Sequence, residues 1–158
     1  MEKCKLPIRV HFLTNEIDFK NVRATPWNGL YCSSKAAVHS ISESLYMELK
    51  PLGISVFHVA PGATKSNIAA NGTSRFSLSP DSLYAAYLPD IIRRINASQG
   101  PASMPTKVFA KKVVSKALKT SPPRYMMLGG HSGMFTLLKW LPRQLSLWML
   151  WRMWSKKA

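Results

Sequence analysis

Apolar residues recur along this chain with two different periods, and the switches between them mark out the elements of a layered α/β domain. Ala37, Ile41, Leu45 and Leu49 fall every fourth residue, while Ser40, Glu43, Ser44 and Glu48 take other faces. This predicts a helix that packs one stripe against a sheet. Pro51-Leu52-Gly53 ends it, because proline disfavours a helical residue before it and glycine allows the reversal. The run Ile54 to Ala60 is apolar at nearly every position, as in a parallel strand buried on both faces, and Pro61-Gly62 closes it. Beyond Ile68 the pattern loosens, predicting a loop over 71–79, a helix from about Pro80 to Ile95 and a second loop from Asn96 to Pro105. Thr106 to Leu118 reads as a helix with Val108, Ala110, Val113, Val114, Ala117 and Leu118 toward the sheet. Tyr125 to Leu128 reads as a last strand. Near the start, Leu6, Ile8, Val10 and Phe12 alternate with Lys5, Pro7, Arg9 and His11, a strand pattern whose proline demotes it to a sheet edge.

The first helix also carries candidate chemistry. Tyr31 and Lys35 stand four residues apart and so share a face. An ammonium beside a phenol favours the phenolate, which would draw Tyr31 down from the ordinary value of about 10 and make it a proton donor to a carbonyl. Tyr-x-x-x-Lys also occurs as an ordinary solvated pair on a surface helix. Its context here is a helix, then a buried strand, then Pro61 to Ser66 at the carboxyl end of that strand, where open α/β sheets bind their ligands.

The run from Thr25-Pro26-Trp27-Asn28-Gly29 through Tyr31-x-x-x-Lys35 to Pro61-Gly62-Ala63-Thr64-Lys65-Ser66-Asn67-Ile68 resembles the C-terminal half of a short-chain dehydrogenase/reductase. Within that superfamily it is most similar to the fungal 1-acyldihydroxyacetone-phosphate reductases. The resemblance implies a partial Rossmann-like parallel sheet with flanking helices over 21–128. It implies NADP as cofactor and a lipid-like ketone as substrate. It makes Tyr31 the catalytic acid and gives Lys35 the nicotinamide ribose, while Pro61, Gly62, Thr64 and Ser66 contact the nicotinamide end. The cytoplasmic face of the endoplasmic reticulum or a lipid droplet is the expected location, and a homo-oligomer remains open.

The first twenty residues depart from the family. Its Gly-rich phosphate turn has no counterpart between Met1 and Asn21, a stretch without glycine. Its carbonyl-polarising serine, about thirteen residues before the tyrosine, falls on Asp18, which when ionised cannot donate that hydrogen bond. The expectation is a truncated, inactive copy of such a reductase, and the alternative is a non-catalytic basic remnant that associates with membranes.

Charge supports a surface partner. Of the formal +15, the acidic residues all precede Ile91, and every charged residue from Ile91 onward is basic. Such asymmetry points to an anionic partner, although lysines over 107–119 also suit a plain solvated face. Aromatic residues are not interleaved with the basic run, which argues against nucleic acid. Cys4 and Cys32 form no disulfide or zinc pattern, and the four histidines lack ligand spacing, so no metal is expected. Gly129-Gly130-His131-Ser132-Gly133 lacks the lysine of a phosphate loop and reads as a flexible joint to the tail, 129–158. Within 134–154 lie Trp140, Trp148, Trp151 and Trp154, with Lys139 and Arg143 near the middle. Seven large apolar residues at about −0.5 kcal/mol each do not offset two central charges at about +3 each, so spanning a bilayer loses to an amphipathic helix lying in its interface. Packing on the chain's own domain is the other option for this tail.

Overall fold

The computed structural model describes residues 9–13, 24–138 and 140–155, the stretches 9–13 and 134–136 by backbone alone. Three parallel strands form the sheet in the order β1-β2-β3: β1 (Arg9–Leu13), β2 (Ser55–Pro61) and β3 (Tyr125–Leu128). Among the described strands β1 occupies an edge, as the proline in its alternating run predicts, with Val10 opposite Val56 and Leu13 opposite Val59. The helices are α1 (Gly29–Leu49), α2 (Ile68–Arg75), α3 (Leu88–Ile95), α4 (Thr106–Ala117), α5 (Ser132–Leu138) and α6 (Arg143–Trp154).

β2 is the centre of the sheet and its residues 56–61 are buried. Alternation sends Phe57 and Val59 to one face, where Phe109, Val113 and Ala117 of α4 cover them. Only this single stripe of α4 packs. Val108, Ala110, Val114 and Leu118, expected toward the sheet, are exposed because they stand off that four-residue repeat.

The other face of β2 receives α1, and here the expected stripe is replaced. Ala37 and Ile41 are exposed, while Cys32 and Ser42 are buried. The physical reason is His58. Its Nδ1 lies 2.7 Å from the Ser42 hydroxyl, which donates its one proton to the His39 carbonyl at 2.7 Å, so the His58 Nδ1–H is the donor. A paired serine costs little to bury, so the helix turns its polar residue inward. The His39 ring stands at 4.9 Å from that of His58, and Tyr125 of β3 stands at 5.6 Å from it. Tyr125 donates to Glu43 at 2.7 Å, and Arg124 lies 3.9 Å from the same carboxylate and over the Tyr46 ring.

α2 forms where a loop is expected. Asn71, Gly72, Thr73 and Ser74 are poor helix formers, and tertiary contact overrides them. Ala69 is buried, and a Cβ on Gly72 would lie 3.1 Å from Ile95, so the missing side chain lets α3 approach. The helix expected from Pro80 shrinks to a turn of 3-10 helix at Ala85–Tyr87 followed by α3. The tail is helical as expected but comes as two helices rather than one, broken ahead of Pro142. No helix among the described residues is long and apolar enough to cross a membrane.

Candidate active site

β2 and β3 end side by side, and the chain beyond their carboxyl ends is pinned on both flanks. Gly62 N–H donates to Leu128 at 2.8 Å, Ala63 and Gly130 exchange two hydrogen bonds of 3.0 Å, and Lys65 N–H donates to Met104 at 2.9 Å. Thr106 caps the run by donating its hydroxyl to the Lys65 carbonyl. These backbones touch. A Cβ on Gly62 would lie 2.5 Å from the Gly130 oxygen, one on Gly130 would collide with the Ala102 carbonyl, and Gly129 has φ +131°. The glycines after β3 are thus a brace under the post-β2 turn. The expected flexible joint is corrected, because packing and hydrogen bonds hold it.

Tyr31 enters from the first turn of α1, which begins when Cys32 N–H donates to the Asn28 carbonyl at 2.9 Å. It lines a cavity of about 990 Å³ together with Pro61, Gly62, Thr64 and Ser66. Five of the six residues singled out in the sequence therefore share one space. Lys35 does not reach that wall: its Nζ sits 5.4 Å from the centre of the Tyr31 ring. Asp18, where the family's serine would fall, lies outside the described residues. Among the described residues no group of three or more His, Cys, Asp or Glu side chains could hold a metal ion.

The sequence reading missed Arg93, Arg94 and Trp154, which line the same cavity. Arg94 donates from Nε and Nη2 to the Thr25 hydroxyl at 3.3 and 3.0 Å, and its guanidinium stands 5.1 Å from the Trp154 ring centre. Arg93 pairs with buried Asp90 at 3.1 Å and donates to the Met153 carbonyl at 3.3 Å. Two adjacent arginines on a short helix read as solvent-facing charge; only the return of the C-terminal helix brings an indole against them. That return is fixed by Trp27, whose φ of +64° points its ring at Tyr87 (4.9 Å) and Trp151 (5.6 Å), and whose Nε1–H donates to the Trp154 carbonyl. Tyr84 and Tyr87 serve as packing for Trp27.

A family model described as short chain dehydrogenase matches residues 21–75, the stretch that holds Tyr31, Lys35 and Pro61 to Ser66. This stretch is similar to the short-chain dehydrogenase family. A short-chain dehydrogenase of Penicillium ochrochloron is 38% identical over 92 residues, 58% of this chain and 33% of that protein. The NADPH-dependent 1-acyldihydroxyacetone phosphate reductase of Saccharomyces cerevisiae is 29% identical over 102 residues, 62% of this chain and 32% of that enzyme. The chain thus spans about a third of the length of the curated relatives it matches. The fold agrees with a solved short-chain dehydrogenase from Streptomyces avermitilis, at TM-score 0.60 and 22% identity, covering 89% of this chain and 50% of that one. The dehydrogenase family generally binds NAD(P).

Proposed function

We propose that this chain carries the substrate-side half of an NADPH-dependent reductase acting on a lipid-linked ketone such as 1-acyldihydroxyacetone phosphate. One observation carries the reading: Tyr31 shares a cavity with Pro61, Gly62, Ala63, Thr64 and Ser66, at the carboxyl ends of two parallel strands. The residues fit the nicotinamide end of the cofactor. Gly62 has no side chain, Thr64 holds its own hydroxyl on the Gly62 carbonyl at 3.2 Å, and no carboxylate among the described residues lines the space. NADPH, when bound, supplies the hydride. Tyr31 gives its phenolic proton to the carbonyl oxygen, and the Lys35 ammonium over its ring stabilises the phenolate left behind.

The test supplies the cofactor-binding half of a close relative upstream of Thr25 and follows ketone-dependent NADPH oxidation. Removing the phenol by Tyr31→Phe is expected to lower the rate about a hundredfold or more. An unchanged rate refutes Tyr31 as the acid. By itself the chain, whose sequence holds no Gly-rich phosphate turn before α1, is expected to show no saturable binding of micromolar NADPH.

The membrane-associating reading is favoured by a separate observation. Leu137, Leu145 and Trp148 on the two tail helices and Trp140 in the turn between them are exposed, and Arg152 stacks 5.6 Å over Trp148. In a region whose charges are all basic, this apolar and cationic surface suits anionic lipid, as on the cytoplasmic face of the endoplasmic reticulum or a lipid droplet. Flotation of the whole chain with vesicles tests it. Binding should rise with anionic lipid and fall with salt, and binding indifferent to both overturns it.

A further inference from the structure

The cavity has a second wall that the proton-transfer reading does not use. Arg94 is half-buried there with no carboxylate partner among the described residues, since the one beside it, Asp90, pairs with Arg93. Among the described residues its side-chain acceptor is the Thr25 hydroxyl, a neutral oxygen. A guanidinium withdrawn from water and given one neutral acceptor is poorly compensated, and a fork lying against an indole is pre-organised to receive two oxygens of an anion. Around it the wall is apolar: Ile68, Ile95, Phe109 and Met153 line the same space. The cavity therefore offers a proton donor, a cationic fork and room for hydrocarbon.

We infer that Arg94, set against Trp154 and flanked by Arg93, holds the phosphate monoester of an acylated substrate and selects phosphorylated over neutral ketones. This rests on the reductase reading for the identity of the ligand as a substrate, but the recognition itself is independent of Tyr31. Thr25 is the hinge of the arrangement. It also approaches Cys32 of α1 at 3.6 Å, which ties the arginine to the helix that carries Tyr31.

Phosphate oxygens could equally come from the dinucleotide, and the experiment separates the two sources. The intact chain is titrated by calorimetry with octanoylglycerol 3-phosphate and with octanoylglycerol, and the reductase complemented with a cofactor-binding half is titrated with NADPH. The phosphorylated amphiphile is expected to bind at least about tenfold more tightly than the neutral one, with Arg94→Gln erasing that preference and leaving the neutral ligand's affinity unchanged. Arg94→Lys keeps the charge without the fork and guards against a variant that fails to fold; it should keep less than half of the preference on a logarithmic scale. Arg143→Gln, on the tail away from this wall, should change nothing. Equal binding of the two amphiphiles, or a preference that survives both Arg94 variants, overturns the assignment. NADPH binding that Arg94→Gln weakens gives the fork to the cofactor and overturns it as well. Failure of Tyr31→Phe to slow the complemented reductase refutes the catalytic reading alone, because no arm of the titration involves proton transfer.

Discussion

On one face of β2, Phe57 and Val59 meet the apolar stripe of α4; on the other, His58 meets the Ser42 hydroxyl, which it hydrogen-bonds, and the rings of His39 and Tyr125. Both faces are buried, yet they fail for different reasons. The apolar face depends on volume and is indifferent to pH. The polar face depends on which protons are present, and its stability is conditional on them.

Three measurements sharpen this contrast. The largest effect is expected from Phe57→Ala, which empties a fully buried ring site and should cost about 4 kcal/mol in denaturant unfolding, equally at pH 5 and pH 7. A pH-dependent loss there would mean that the two faces are coupled. Acid comes next. Burial, then the neighbouring His39, lowers His58 from 6.5 to about 4, with Glu43 opposing. Because the folded state resists the proton that the unfolded state accepts, stability is full above about pH 6.5 and falls as pH drops toward 4, by about 3 kcal/mol from this group. Replacing His58 by Gln should flatten that window; a slope that persists would place the titration elsewhere. The smallest effect is Tyr125→Phe, which removes a half-buried hydrogen bond to Glu43 and should cost about 1 kcal/mol. Burial, then the same contact, raises the Tyr125 phenol to about 12, so its stabilisation is lost as pH rises from about 10 to 12, which alkaline difference spectra should show.

The contrast also explains what could be read from the sequence. β2 and β3 were legible because a continuous apolar run has one good solution, and Pro61 to Ser66 followed from where a parallel strand ends. The inward face of α1 was not legible. Hydropathy assigns Ser42 and His39 to solvent, and their burial depends on a histidine sixteen residues away from the serine. α2 escaped for a related reason: its residues are poor helix formers, and what decides the matter is the space left by Gly72 under Ile95. In the site, Tyr31 and its companions are local motifs, whereas Arg94 gains its setting from Thr25 and Trp154, distant in sequence in opposite directions. Charge patterning gave the tail its basic, aromatic character but not the break ahead of Pro142, nor the burial of Leu150 and Ser146 that turns α6 back onto the domain.

The indole of Trp27 donates to the carbonyl of Trp154 across 127 residues, and Arg93 reaches Met153 across 60. Contacts of such separation close large loops and are expensive to nucleate, so they form late. During synthesis, Tyr31 and the turn after β2 leave the ribosome well before the helix that completes their chamber. The wall with the indole is therefore the last masonry laid, and a nascent chain stalled before Leu150 would expose Trp27, Tyr84 and Tyr87 as an open aromatic surface for chaperones to recognise.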